Sequence, residues 1–256
     1  MKIYITHYSQ LVERKNHIKK LLKEIAMEGE FIEKFDKEEI QNKKFIQNKY
    51  TWQTQLSFIK KIIIRNILEN KKDKNIKSKI YWNFFYIFNK LLTPKSFRFR
   101  NLSLAEISLT LKHYVALKKI ADSKEPGLIM EDDIILKPES KLLIEKSFLL
   151  CKNKFDYIDL GGGCELPLFE EDKFLIDEGR FVKLKIPRSR TTAAYLVNPE
   201  SALKLASGIL PVSMPIDWQY QFLFLRHNFK VLWTSPPAFI HGSKESKYFF
   251  KSSIQT

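Results

Sequence analysis

The chain has 256 residues, 44% of them hydrophobic and 29% charged, with a formal net charge of +15. That is enough for one full α/β core and too apolar for a disordered chain. Two cysteines, Cys151 and Cys164, exclude a disulfide scaffold and a cysteine-built zinc cluster, and they suit a reducing compartment; no uncharged apolar run reaches the ~18 residues of a spanning helix.

Lys2–Thr6 alternates like a short strand, and the polar turn His7–Gln10 after it argues against a secretory leader. A helix is predicted from about Leu11 to Met27, with Leu11, Ile18, Leu21, Leu22 and Ile25 on one stripe, and a second strand over Glu30–Phe35. Strand, helix, strand is how open parallel α/β sheets begin.

Residues 41–100 hold 15 basic side chains against two acidic ones, Glu69 and Asp73, and so carry nearly all of the excess charge. The same stretch is aromatic, most densely over Tyr81–Leu92. Lysines drawn to anionic headgroups, with aromatic rings at the boundary, describe a basic helical insertion lying on a membrane. The alternative is a helical subdomain with an aromatic core and solvated lysines. No RNP, KH or helix-turn-helix signature accompanies the charge, so no nucleic acid is expected as partner.

Ser103 and Glu106 form a capping box that opens a helix over Leu104–Asp122. Gly127–Met130 is a short buried strand running straight into Glu131, Asp132 and Asp133, with Ile134–Leu136 extended beyond it. A helix over Lys141–Cys151 follows, then a strand over Tyr157–Leu160 that ends in three glycines. Thr192–Val197 reads as a strand, and Asn198-Pro199 starts a helix over Glu200–Ala206 that Gly208 closes. Asp217 opens a helix through Arg226, and Lys230–Thr234 is the last clear strand. Strands alternating with helices predict an α/β fold with a mainly parallel sheet flanked by helices. The glycine triplet lacks the spacing of a P-loop or a dinucleotide fingerprint.

The acidic triplet is the most informative feature. Three adjacent carboxylates repel one another, and burying them uncompensated is costly. A hard divalent cation resolves that conflict by taking one or two carboxylates and completing its shell with the oxygens of a substrate diphosphate. Ligand sites in open α/β sheets lie beyond the carboxyl ends of the strands, where this triplet falls. A solvated turn is the plain alternative.

Around the triplet the chain resembles glycosyltransferase family 25, the lipooligosaccharide galactosyltransferases and their collagen-modifying relatives. Leu102–Glu106, His113 later in the same helix, and Leu128–Leu136 with its Glu-Asp-Asp are similar to that family's core signature. Glu13-Arg14, Thr192–Tyr195 and Pro215–Asp217 fall in the family's order. Ala105 stands where the family has Gly and Lys112 where it has Ser, which leaves the acidic motif intact.

The resemblance implies a GT-A (Rossmann-like) fold in one domain over 1–256, interrupted by 41–100, and an inverting hexosyl transfer from a UDP-sugar, galactose ahead of glucose. It implies a Mn²⁺ or Mg²⁺ cofactor and a lipooligosaccharide, lipopolysaccharide or other surface-glycan acceptor. The basic stretch then suggests a cytoplasmic enzyme, peripheral at the inner membrane. The implied metal ligands are Glu131, Asp133 and His241. Donor-binding residues are Thr6, His7, Arg14, Glu106, His113, Asp132 and Thr192. Asp217 is the expected base. Plainer roles stand beside these: Asp217 as an N-cap, Glu106 as only the partner of Ser103, His241 as a loop residue, Tyr195 as core, and Asp159 as part of a strand-end turn. The rival functions are a metal-dependent phosphoesterase or nuclease, and a non-catalytic membrane- or nucleic-acid-binding module.

Overall fold

The alternation in Lys2–Thr6 (β1) sends Ile3 and Ile5 to one face of a sheet and Tyr4 to the other, and both faces are buried. A computed structural model describes residues 1–40, 102–164, 166, 168, 172–175, 180–189, 191–210, 212 and 215–242. The chain divides into two units, 1–46 with 103–256, and 47–102. The basic stretch 41–100, and with it the predicted insertion, lies outside the described residues.

After β1 come α1 (Val12–Glu24), β2 (Glu30–Ile32), the short α2 (Lys37–Ile40) and α3 (Leu104–Ala121). Then follow β3 (Gly127–Glu131), β4 (Ile134–Leu136), α4 (Ser140–Asn153), β5 (Tyr157–Asp159), β6 (Lys173–Leu175) and β7 (Phe181–Lys183). The last described elements are β8 (Ala194–Val197), α5 (Pro199–Ile209), α6 (Ile216–Arg226), β9 (Val231–Thr234) and β10 (Phe239–His241).

The main sheet has the order β2-β1-β3-β8-β5-β9-β7-β6. Among the described residues six strands run one way, and β7 and β8 oppose them. The sheet is therefore mainly parallel in direction and GT-A-like. One face packs on α1 and α4 through Ile18, Leu21, Leu22, Leu143 and Ile144, the other on α3, α5 and α6 through Leu117, Ile120, Leu205, Ile209 and Phe224.

Two helix ends show why the boundaries fall where they do. α1 stops earlier than Met27 because Ala26 turns left-handed (φ 54°), with Met27 N donating to Leu22 O at 2.9 Å and Ala26 N to Lys23 O at 3.1 Å. That is a Schellman closure made with alanine. The predicted stop at Gly208 is corrected: α5 runs through it to Ile209. A methyl group there would lie 2.2 Å from Leu223 Cδ2, so the glycine serves the close approach of α6. At the start of α3 the predicted capping box is present in full.

Four of the described elements went unpredicted: α2, four residues long, and β6, β7 and β10, each only three. β10 pairs antiparallel with β4 in a separate two-stranded sheet and brings the chain's last described segment back beside the acidic triplet. Among the described residues no helix is long and apolar enough to cross a membrane.

Candidate active site

Strand register builds the site. β1 and β3 are parallel with Thr6 opposite Glu131, so the residues just past the two strands meet, and His7 Nδ1 lies 2.7 Å from Asp132 Oδ2. Arg14, in the first turn of α1, donates from Nη1 to Asp132 Oδ1 at 2.9 Å and lies 3.6 Å from Asp133 Oδ2. β8 delivers Thr192, whose hydroxyl donates to Glu131 Oε1 at 2.7 Å. Pairing of β10 with β4 sets His241 opposite Ile134. Its Nδ1 is 3.3 Å from Asp133 Oδ2 and its Nε2 is 3.7 Å from Glu131 Oε2. Thr6 donates to the Met130 carbonyl at 3.4 Å and steadies the strand end.

Three carboxylates in a half-closed corner set the electrostatics. Burial opposes charge on Glu131, yet the imidazoles of His113 and His241 hold its carboxyl well below the usual carboxylate range. Burial, with the charges of Glu131 and Asp132, pushes Asp133 up to about 6, against the pull of His241 and Arg14. Burial alone would lower His241, but Glu131 and Asp133 raise it to about 9. The corner draws in the cations within reach and still leaves Asp133 costly to ionise.

Both oxygens of Asp132 are engaged, one by Arg14 and the other by His7 and the Tyr8 amide. Asp133 Oδ1, by contrast, is buried and accepts no hydrogen bond among the described residues. Glu131, Asp133 and His241 each offer one ligand atom, all within 4.8 Å of one another. Two carboxylates and an imidazole around an unsatisfied buried oxygen fit a divalent cation, which would replace the proton on His241.

This corner lines a pocket together with Thr6, His7 and Tyr8 and with Ala105, Ser108, Leu109 and Lys112 of α3. A family model described as glycosyltransferase family 25 (LPS biosynthesis protein) matches residues 1–219.

The chain belongs to glycosyltransferase family 25.

No curated protein matches it. Membership makes the protein a glycosyltransferase, with a sugar donor and a glycan acceptor as its substrates. The family match takes in the acidic triplet and Asp217 and stops short of His241.

Other predicted family 25 site residues stand further back. Glu106 is not among the pocket-lining residues, and its Oε2 accepts from Ser103 N at 2.9 Å and Ser103 Oγ at 3.2 Å in the capping box. His113 is fully buried and faces Glu131 from behind the pocket. Asp217 is the second residue of α6, in the first turn of a helix whose N-cap position is Pro215. Burial pushes its carboxyl up to about 6, helped by the charges of Glu131 and Glu106 and opposed by the amides of Trp218 and Asp217. Tyr195 is core and hydrogen-bonded. Asp159 is fully buried and accepts from Gly161 N at 2.7 Å, Gly163 N at 3.2 Å and Ser189 Oγ at 2.8 Å, which makes it the anchor of the glycine turn.

Sequence reasoning missed the α3 lining and the ion pair beneath it. Ala105, Ser108, Leu109 and Lys112 have the spacing of one helix face, which was the available signal. Lys112 Nζ lies 2.5 Å from Asp36 Oδ1 and donates to Glu33 O at 3.0 Å, with both charged side chains buried. Asp36 in turn accepts from Ser9 N at 3.2 Å and so pins the loop after β1. Lys112→Met keeps the volume but strands the Asp36 carboxylate. Urea unfolding is expected to lose about 3 kcal/mol; a loss under 1 kcal/mol would show that the pair does not hold the loop.

Proposed function

We propose that the protein transfers a hexose, galactose in preference to glucose, from a UDP-sugar with inversion onto a lipooligosaccharide, lipopolysaccharide or related surface glycan. The observation that carries this reading is the Glu131–Asp133–His241 cluster with its unsatisfied buried oxygen, set at the carboxyl ends of β1 and β3 in a family 25 chain.

Glu131, Asp133 and His241 would hold the metal, and Mn²⁺ suits a set containing imidazole better than Mg²⁺, which prefers oxygen. When bound, such an ion supplies electrophilic stabilisation to the departing diphosphate. The protein's own groups do the rest. Thr6, His7, Tyr8, Ser108 and Leu109 line the pocket beside that site and would receive the nucleoside. Arg14 and Lys112 line the same pocket, held in place by Asp132 and Asp36. The acceptor hydroxyl attacks the anomeric carbon as the bond from that carbon to the diphosphate oxygen breaks. The hydroxyl proton passes to the Asp217 carboxylate and from there to solvent.

A panel of UDP-sugars with Mn²⁺ tests this directly. Slow hydrolysis of one UDP-hexose, or its selective thermal stabilisation of the protein, is the expected result. Indifference to every nucleotide sugar would refute it. A two-metal phosphoesterase or nuclease would need more ligands than the single three-residue cluster found among the described residues.

The charge of residues 41–100 supports placement at the inner membrane face, next to a lipid-linked acceptor. Neutralising Lys71, Lys72, Lys74, Lys77 and Lys79 is expected to cut sedimentation with phosphatidylserine vesicles strongly, at about 1 kcal/mol per lysine near the surface. Equal pelleting of the two proteins would reject the placement.

A further inference from the structure

Behind the acidic corner, on the side away from the pocket, His113, Tyr195 and Tyr220 form a buried line. His113 Nδ1 lies 2.9 Å from the Tyr195 hydroxyl, and that hydroxyl lies 2.7 Å from the hydroxyl of Tyr220. His113 Nε2 has no hydrogen-bond partner among the described residues and points at Glu131 Oε1 from 3.8 Å. Neither the expected donor contact of His113 nor the core role of Tyr195 explains this line.

We infer that His113 is a positioning residue for Glu131, locked as its Nε2–H tautomer by a hydrogen-bond chain that begins at the Tyr220 hydroxyl. The inference rests on the proposed metal-binding role of Glu131.

A neutral imidazole has one N–H and one lone pair, whereas a tyrosine hydroxyl can donate or accept. With the proton on Nδ1, the Nε2 lone pair would face a carboxylate inside the protein, two electron-rich groups with nothing between them. With the proton on Nε2, every polar hydrogen has an acceptor ahead of it: Tyr220 donates to Tyr195, Tyr195 donates to Nδ1, and Nε2–H faces the anion. At 3.8 Å that last contact is electrostatic and longer than a hydrogen bond. Thr192 approaches the same oxygen, Oε1, at 2.7 Å. Glu131 is thus gripped by Oε1 from behind, and Oε2 is presented toward His241 and the pocket. Groups of this kind fix the orientation of a ligating carboxylate, and their loss commonly weakens metal binding ten- to a hundredfold.

Two measurements decide the matter. In the metal-free protein, ¹⁵N NMR of labelled histidine is expected to show a protonated, pyrrole-type Nε2 and a pyridine-type Nδ1 for His113, with the tautomers mixing in Tyr195→Phe. Titration with Mn²⁺ alone, followed by EPR of the free ion, is expected to weaken about tenfold or more in His113→Phe and to recover in His113→Gln, which keeps an N–H donor. An Nδ1–H tautomer in the wild type, or wild-type affinity in His113→Phe, overturns the inference. Should the wild type bind no Mn²⁺, the metal reading fails, and the NMR pattern alone decides whether His113 serves Glu131. The NMR measurement needs no variant, so a variant that does not fold leaves the test intact.

Discussion

Asp133→Asn is expected to cripple transfer while leaving the metal-free protein at least as stable as the wild type. Asparagine matches aspartate in size, so the packing of the β3–β4 corner is kept. The Asp133 carboxyl is raised to about 6, first by burial and then by the charges of Glu131 and Asp132. A carboxyl raised on folding contributes stability below its ordinary pKa, and that contribution disappears as pH climbs through 6. At pH 7 the buried negative charge is therefore a burden, and the neutral amide removes it. What the amide cannot do is complete a divalent site. Loss of the electrophile is expected to lower kcat by about 10³-fold, the upper end of the range for losing one preorganised charge-stabilising group. Mn²⁺ at a hundred times its Kd should raise wild-type stability by about 2.7 kcal/mol and leave the variant unmoved. Thermal melts with and without Mn²⁺, beside a donor-turnover assay, read all of this. A variant with full activity, or one that melts far earlier without metal, contradicts the assignment.

Asp217→Asn separates proton transfer from metal binding. It is expected to lower kcat by about 10²–10⁴-fold while Mn²⁺ and donor bind as before. The wild-type carboxyl, raised by burial to about 6, is ionised and able to accept a proton above that pH. With Mn²⁺ saturating, so that Asp133 stays ionised as a ligand, the kcat/KM profile of the wild type should therefore fall tenfold per pH unit below about 6, and the residual rate of the variant should lack that limb. Turnover unaffected by the substitution would return Asp217 to a structural role at the head of α6.

Much of this site could be read from residue order, because its core depends on short-range features. An apolar run ending in three carboxylates predicts where β3 stops, and Ser103 with Glu106 marks the start of α3 to the residue. Other parts depend on partners far away in the chain. That Asp132 is held from within by His7 and Arg14 follows from the register of β1 on β3, which no local pattern encodes. His241 could be suspected only as a late histidine, since the three-residue strand that carries it is too short for a periodicity signal. Gly208 misled for the opposite reason: its sequence neighbourhood matches a helix stop, but contact with Leu223 decides its use. The reversed direction of β8 was equally hidden, because an apolar strand reads the same in either orientation.

The most direct measurement is anomalous diffraction from a crystal soaked with MnCl₂ and UDP. A manganese peak bounded by Glu131, Asp133 and His241, with UDP oxygens on its open side, is the predicted result. A triplet left without metal, with UDP bound elsewhere or not at all, would contradict the account at its foundation.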